Sequence, residues 1–170
     1  MSAFPFEPSE ATADERRKPH AKRATTVAFT RRLDVLVVDD DDCARDVLAL
    51  AVRSFGHTSR VAADGDDALR AIAERRPDVV ISDWEMPGMN GSELCRRTRS
   101  ESEDAPYIYF ILMTGFSDRE HLLAGMAAGA DDYQRKPVDL DELEARLASA
   151  ARGVDLHARL AAALDAANSH

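Results

Sequence analysis

At 170 residues the chain is long enough for one domain with extensions, and for a proper core. Its 45% hydrophobic content is ordinary for a globular protein, and no stretch has the apolar length of a membrane span or the block of a signal peptide. A cytoplasmic protein with no membrane partner is therefore expected. The net charge of −9 is uneven: residues 1–32 carry seven basic and four acidic side chains, the remainder fifteen and twenty-seven. So acidic a body argues against direct DNA binding, because phosphate contacts need clustered Lys and Arg.

Residues 1–32 are rich in Pro, Ala, Thr and charge without periodicity, which predicts a disordered or weakly ordered tail. Its basic side chains, among them Arg16, Arg17, Lys18, Lys22 and Arg23, are read as solvated. Val35–Val38 is a continuous apolar run, as in a strand covered on both faces. Asp41 or Asp42 then caps a helix whose apolar face is Val47, Leu48, Ala51, Val52 and Phe55, ended by Gly56. His57–Ala62 is a weaker strand near an edge. Asp64 caps a short helix through Ala68, Leu69 and Ile72.

Val79–Ser82 is the third strand, followed by the turn-rich MPGMNG and a helix carrying Leu94 and Cys95. An acidic loop over 100–106 leads to the fourth strand, Tyr107–Met113. Ser117 with Glu120 has capping-box spacing for the next helix, through Leu122, Leu123, Met126 and Ala127, closed by Gly129. Tyr133–Arg135 is a short fifth strand, and Asp139 with Glu142 opens a final helix.

Five strands alternating with five helices predict an α/β fold, a parallel sheet covered on both faces. The flavodoxin-like order 2-1-3-4-5 suits a doubly wound unit of this size. It sets strands one and three side by side, so Asp39, Asp40 and Asp83 converge at one sheet edge, where the Thr114 and Lys136 strand ends also lie. Three such carboxylates repel unless a cation sits between them, and an all-oxygen set favours Mg²⁺. A carboxylate there can act as a nucleophile toward an activated phosphoryl group, whose oxygens the Lys136 ammonium and the Thr114 hydroxyl would meet. Strand-end aspartates often only cap helices, and Asp41 and Asp42 are assigned to that.

The strings VLVVDDDD, VVISDWEMPGMNG, FILMTG and GADDYQRKPVD, in this order, resemble the receiver domain of bacterial two-component response regulators, the CheY-like superfamily. The resemblance spans about residues 33–152. It implies Asp83 as phosphoacceptor, with Asp39 and Asp40 as the Mg²⁺-binding pair, Asp40 the more direct ligand. Glu85 matches the position whose backbone carbonyl ligates the metal, and Thr114 and Lys136 match the phosphoryl-contacting pair. It also implies a switch, in which Thr114 moves toward the phosphoryl oxygens, Tyr133 turns inward, and the face of helix four, strand five and helix five reads out the change. The phosphoryl donor would be a sensor histidine kinase or histidine phosphotransfer protein, and the listener a downstream protein. The chain would catalyse only its own phosphorylation and dephosphorylation. The Lys136–Pro137 peptide is expected to be cis.

Three details complete the reading. Trp84, beside the acceptor, is expected to be partly exposed, and Cys43 and Cys95 to be reduced thiols packed as small hydrophobes. Glu85 carries a carboxylate at the rim, able to pair with Lys136 or impede water. Leu143, Leu147, Ala150, Val154, Ala161 and Leu164 follow a 3-4 spacing into a helical extension over 153–170 that supports a homodimer, with Gly153 costing about 1 kcal/mol relative to Ala. No output module is visible, so a stand-alone receiver is expected, the alternative being the receiver of a larger regulator such as a cyclic-dinucleotide enzyme. A haloacid-dehalogenase-like phosphatase also uses Asp and Mg²⁺, but DDDDCA lacks the Thr that such a site needs.

Overall fold

The structure, a computed structural model, describes residues 31–101, 105–115 and 119–169. Most of the expected N-terminal tail, the middle of the acidic loop and Ser117 of the expected capping box lie outside the described residues. Five strands form one parallel sheet: β1 (Asp34–Val38), β2 (Thr58–Ala62), β3 (Val79–Asp83), β4 (Tyr109–Thr114) and β5 (Asp132–Arg135). Their order is β2-β1-β3-β4-β5, the flavodoxin-like arrangement. Five helices connect and follow them: α1 (Asp42–Ser54), α2 (Gly65–Glu74), α3 (Gly91–Ser100), α4 (Arg119–Ala128) and α5 (Leu140–Asn168).

Because strand side chains alternate, each central strand feeds two cores. Val35, Val37, Val79, Ile81, Ile111 and Met113 meet Leu48 and Val52 of α1 and Leu143, Leu147 and Ala150 of α5. Leu36, Val38, Val80, Phe110 and Leu112 meet Ala68 and Ile72 of α2, Leu94 and Cys95 of α3, and Ala128 of α4. Apolar runs are therefore uninterrupted in β1, β3 and β4. The edge strand β2 instead leaves Val61 46% exposed.

Helix starts follow the side-chain chemistry. Asp41, Asp64, Asn90 and Asp139 each accept from the backbone N–H three residues on, at 2.7, 2.8, 2.8 and 3.0 Å. Each such cap contributes about 1 kcal/mol. The expected box at Asp139 is half made, because the Glu142 carboxylate turns to Arg146. Gly56 and Gly129 adopt φ of 93° and 92° just beyond α1 and α4, the left-handed region that suits glycine there.

Four packing expectations are corrected. Val47 is 54% exposed, since α1 buries the arc centred on Leu48, Ala51 and Val52 and leaves Val47 at its rim. In α4 the leucines and methionine face outward, with Leu122, Leu123 and Met126 exposed while Gly125 and Ala128 are buried. Small residues let α4 lie close to the body, and the rings of Tyr133 and Trp84 fill the space beneath Gly125. Cys95 is buried as expected, its thiol pushed up to about 11 first by burial, but Cys43 is exposed. In α5, Leu143, Leu147, Ala150 and Val154 are buried in the protein's own body, so they cannot form a dimer seam; the exposed leucines are Leu140 at its start and Leu156, Leu160 and Leu164 beyond Gly153.

Helix α5 runs unbroken through Gly153, and the reason for the glycine is a close approach. A Cβ there would stand 3.0 and 3.1 Å from ring carbons of Tyr109. Just beyond, Arg31 bridges Asp155 (3.1 Å) and Asp78 (2.8 Å), and His157 stacks on Tyr107 with ring centroids 3.6 Å apart. The helix is thus held at the end of the sheet opposite the strand-end acids. Among the described residues no helix is long and apolar enough to cross a membrane.

Candidate functional site

The parallel register delivers the polar residues to one edge. Val38 pairs with Ser82, so Asp39 follows β1 where Asp83 ends β3. Asp83 pairs with Met113 and Thr114 with Arg135, which places Thr114 and Lys136 at the same level. The amide of Lys136 donates to the Thr114 carbonyl at 2.9 Å, tying these two positions together through the backbone. The Lys136–Pro137 peptide is cis.

Oxygens of Asp39, Asp40 and Asp83 come within 4.8 Å of one another. Asp39 is only 1% exposed, and its atoms are differently engaged. Its Oδ1 accepts from the Asp41 amide at 2.9 Å, while Oδ2 is buried with no hydrogen-bond donor among the described residues. The Lys136 ammonium stands 3.7 Å from that oxygen and 2.9 Å from Asp83 Oδ1. Burial raises the Asp39 carboxyl above its ordinary value, the Asp41 amide and Lys136 opposing, and Asp83 and Asp40 adding to the rise. Burial by itself would lower Lys136, but its bond to Asp83 and its charge contacts to Asp83 and Asp39 outweigh that and hold it above the ordinary lysine value.

An orphaned buried carboxylate oxygen beside two further carboxylates is the kind of donor set a hard divalent cation satisfies. The residues present therefore fit Mg²⁺. Lys136 is turned to Asp83 and Asp39, while Glu85 stands exposed on the loop after β3. Thr114 is buried at the end of β4. Tyr133 is half-buried, its hydroxyl donating to the Leu122 carbonyl at 3.3 Å, and burial pushes its phenol up to about 12.

Trp84 departs from expectation: it is 8% exposed, with its ring edge-on to His121 of α4 at 5.5 Å. Beside the acids, rather than at them, lies a cleft of about 470 Å³ lined by Trp84, Glu85, Met86, Pro87, Asn90 and His121. Two further residues shape the site without any motif signal. Gly91 opens α3 so near Asp83 that a Cβ would lie 2.3 Å from the Asp83 carbonyl oxygen, and its amide caps the Trp84 carbonyl at 2.9 Å. Arg45 reaches back from α1 to the Asp39 carbonyl at 2.9 Å. Only its spacing from Asp42, one helical turn, was visible in the sequence.

Residues 35–148 match the family model of the response regulator receiver domain. The response regulator MprA of Mycobacterium ulcerans is 41% identical over 122 residues, 72% of this chain and 51% of that protein. The DNA-binding response regulator MtrA of Mycolicibacterium smegmatis is 39% identical over 118 residues, 69% of this chain and 50% of that protein. Among solved structures, a putative response regulator from Chloroflexus aurantiacus superposes with a TM-score of 0.65 at 35% identity, covering 72% of this chain and 99% of its own. Chemotaxis protein CheY4 of Vibrio cholerae gives 0.65 at 31% identity, covering 69% and 97%.

The chain spans about half the length of the curated relatives it matches. That overturns the expectation of no direct DNA binding, because a relative 39% identical over this stretch is a DNA-binding response regulator. The acidic charge used against DNA describes the receiver-like stretch, and in such relatives that stretch is half of the protein.

Proposed function

This chain belongs to the response regulator receiver family, and from that premise we propose that it accepts a phosphoryl group on Asp83 from a histidine kinase or phosphotransfer protein and switches a protein surface in response. The observation that carries the proposal is the meeting of Asp39, Asp40 and Asp83 within 4.8 Å with the Lys136 ammonium 2.9 Å from the acceptor. Asp39, Asp40, Asp83 and the Glu85 backbone carbonyl would hold Mg²⁺, which when bound supplies positive charge to the phosphoryl oxygens.

The residues of the chain divide the rest of the work. An Asp83 carboxylate oxygen attacks phosphorus, and the bond from phosphorus to the donor imidazole nitrogen breaks with its electron pair, the nitrogen then taking a proton from water. Lys136 and Thr114 donate to the phosphoryl oxygens, where charge accumulates in the transition state. Asp39, its side chain 1% exposed against 9% for Asp83, is the less open of the two to a phosphoryl donor and is assigned to the metal.

The switch follows from the same contacts. Thr114 moving toward the new phosphoryl group leaves room for Tyr133, which gives up its bond to the Leu122 carbonyl and turns inward. The affected surface is that of α4, β5 and α5, where Leu122, Leu123 and Met126 are exposed. Passing from mostly inactive to mostly active requires several kcal/mol of preference for the active packing. We assign residues 33–152 to the receiver and 153–170 to a helical extension that favours a homodimer together with that face. Within a longer regulator, DNA-binding output of the kind named for MtrA is part of the proposal.

Incubation with acetyl phosphate and Mg²⁺, followed by intact mass, tests the reaction. One phosphate adduct is expected, absent in Asp83→Asn. No adduct, or one that survives the substitution, overturns the reading. Sizing with and without beryllofluoride tests the dimer, which is expected to gain population in the mimic.

A further inference from the structure

We infer that Arg45 is the positioning residue of the metal-binding loop, holding the Asp39 backbone so that the free carboxylate oxygen of Asp39 is presented to the cation. The inference rests on the reading of the acidic cluster as a Mg²⁺ site. Four consecutive aspartates, Asp39 to Asp42, follow β1, and their mutual repulsion opposes any single arrangement of the loop. Each of the other polar groups of Asp39 is nonetheless committed. Its amide donates to the Ala62 carbonyl at 3.3 Å, its Oδ1 accepts from the Asp41 amide at 2.9 Å, and its carbonyl accepts from Arg45 Nη1 at 2.9 Å. What remains is Oδ2, buried, 3.7 Å from the Lys136 ammonium and with no hydrogen-bond donor among the described residues.

Arg45 does this with both arms of its guanidinium. While Nη1 holds the Asp39 carbonyl, Nη2 pairs with Asp42 in the first turn of α1, and the side chain is only 14% exposed. One planar group thereby ties the end of the strand to the start of the helix, a two-partner geometry that an ammonium cannot reproduce. The choice of acceptor matters as well. Lys136 contacts the carboxylates of Asp83 and Asp39 directly, so it competes with a cation for them. Arg45 binds the backbone carbonyl of Asp39, which organises the loop and leaves the ligand oxygen's charge available. A mere Arg45–Asp42 helix pair would be a weak, solvent-screened contact and would not involve the metal.

The experiment measures Mg²⁺ affinity of the full chain by fluorescence of Trp84, its single tryptophan, in Arg45→Ala, Arg45→Lys and Asp42→Asn. Arg45→Ala is expected to bind Mg²⁺ five- to tenfold more weakly, and Arg45→Lys to recover little of that. Asp42→Asn, which keeps an acceptor oxygen for Nη2 and removes only the charge, is expected to stay within about twofold of wild type. If Arg45→Ala does not fold, Arg45→Gln takes its place with the same expected loss. Wild-type affinity in Arg45→Ala, or full rescue by Lys, overturns the inference while leaving the metal site standing. Absence of Mg²⁺ binding in the wild type overturns the site reading and the inference together.

Discussion

Replacing Lys136 with Ala should destabilise the metal-free protein and at the same time strengthen its hold on Mg²⁺. The ammonium lies 2.9 Å from Asp83 Oδ1 and 3.7 Å from Asp39 Oδ2, with 34% of its side chain exposed against 9% and 1% for its partners. Removing one member of a fully buried pair costs about 3–5 kcal/mol, and partial exposure reduces that here to about 1–3. The same cation opposes a divalent ion at the carboxylates. Two charges against one at about 5 Å amount to about 1–2 kcal/mol even at the dielectric of water, roughly a tenfold change in affinity.

Urea denaturation at a series of Mg²⁺ concentrations separates these effects. Without Mg²⁺ the variant should unfold about 1–3 kcal/mol more easily. Magnesium at about 100 times the wild-type dissociation constant stabilises wild type by about 2.7 kcal/mol, and a tenfold tighter variant gains about 1.4 more. The two proteins should therefore converge as Mg²⁺ rises. A gap that stays constant across the titration would refute the placement of Lys136 among the metal ligands.

Other consequences can be checked separately. His57 is 2% exposed and its Nδ1 accepts from the Leu33 amide at 3.1 Å, a role the cationic ring cannot fill. Burial foremost, then Arg32, lowers its pKa below the ordinary 6.5, so the unfolded chain binds the proton first as pH falls. Stability contributed by neutral His57 is therefore complete above about 6.5 and declines as pH falls toward the folded pKa; His57→Gln should flatten that slope in denaturation curves, and an unchanged slope would count against it. Gly153→Ala gains about 1 kcal/mol of helix propensity but forces a Cβ to 3.0 Å from the Tyr109 ring. Overpacking of about 1–3 kcal/mol should leave no net stabilisation, so a melting temperature raised as for an open helix site would show that α5 is not docked at Tyr109. Exposed Glu85 at the rim should set the lifetime of the phosphorylated state, and equal dephosphorylation rates for Glu85→Asn and wild type would remove it from that role.

The fold class was legible because local signals agreed with one another. Continuous apolar runs, Val and Leu in β1 and Val and Ile in β3, and Asp41, Asp64 and Asp139 one step before helical periodicity, each report a backbone state that depends on near neighbours. The acid cluster was legible for a related reason. Strand ends in a parallel sheet converge by topology, so Asp39, Asp83 and Lys136 could be brought together once strand order was inferred. Which way an amphipathic helix turns was less accessible: the apolar residues of α4 are at its surface, because glycine and alanine allow the helix to sit against aromatic rings supplied by other elements. The charge argument against DNA failed for a different reason, since a relative that matches over this stretch is a DNA-binding response regulator of which the stretch is half.

What the sequence by itself determined is the order of elements and the kind of chemistry at the β1, β3, β4 and β5 ends, because periodicity, capping and the strand-end residues are local. What only the tertiary structure decided is which atoms are left over. Gly91 under the Asp83 carbonyl, Gly153 against Tyr109, Trp84 beneath α4 and Arg45 on the Asp39 carbonyl are contacts made across elements. None follows from spacing along the chain, since each depends on how closely two packed surfaces approach and which donors that approach exhausts.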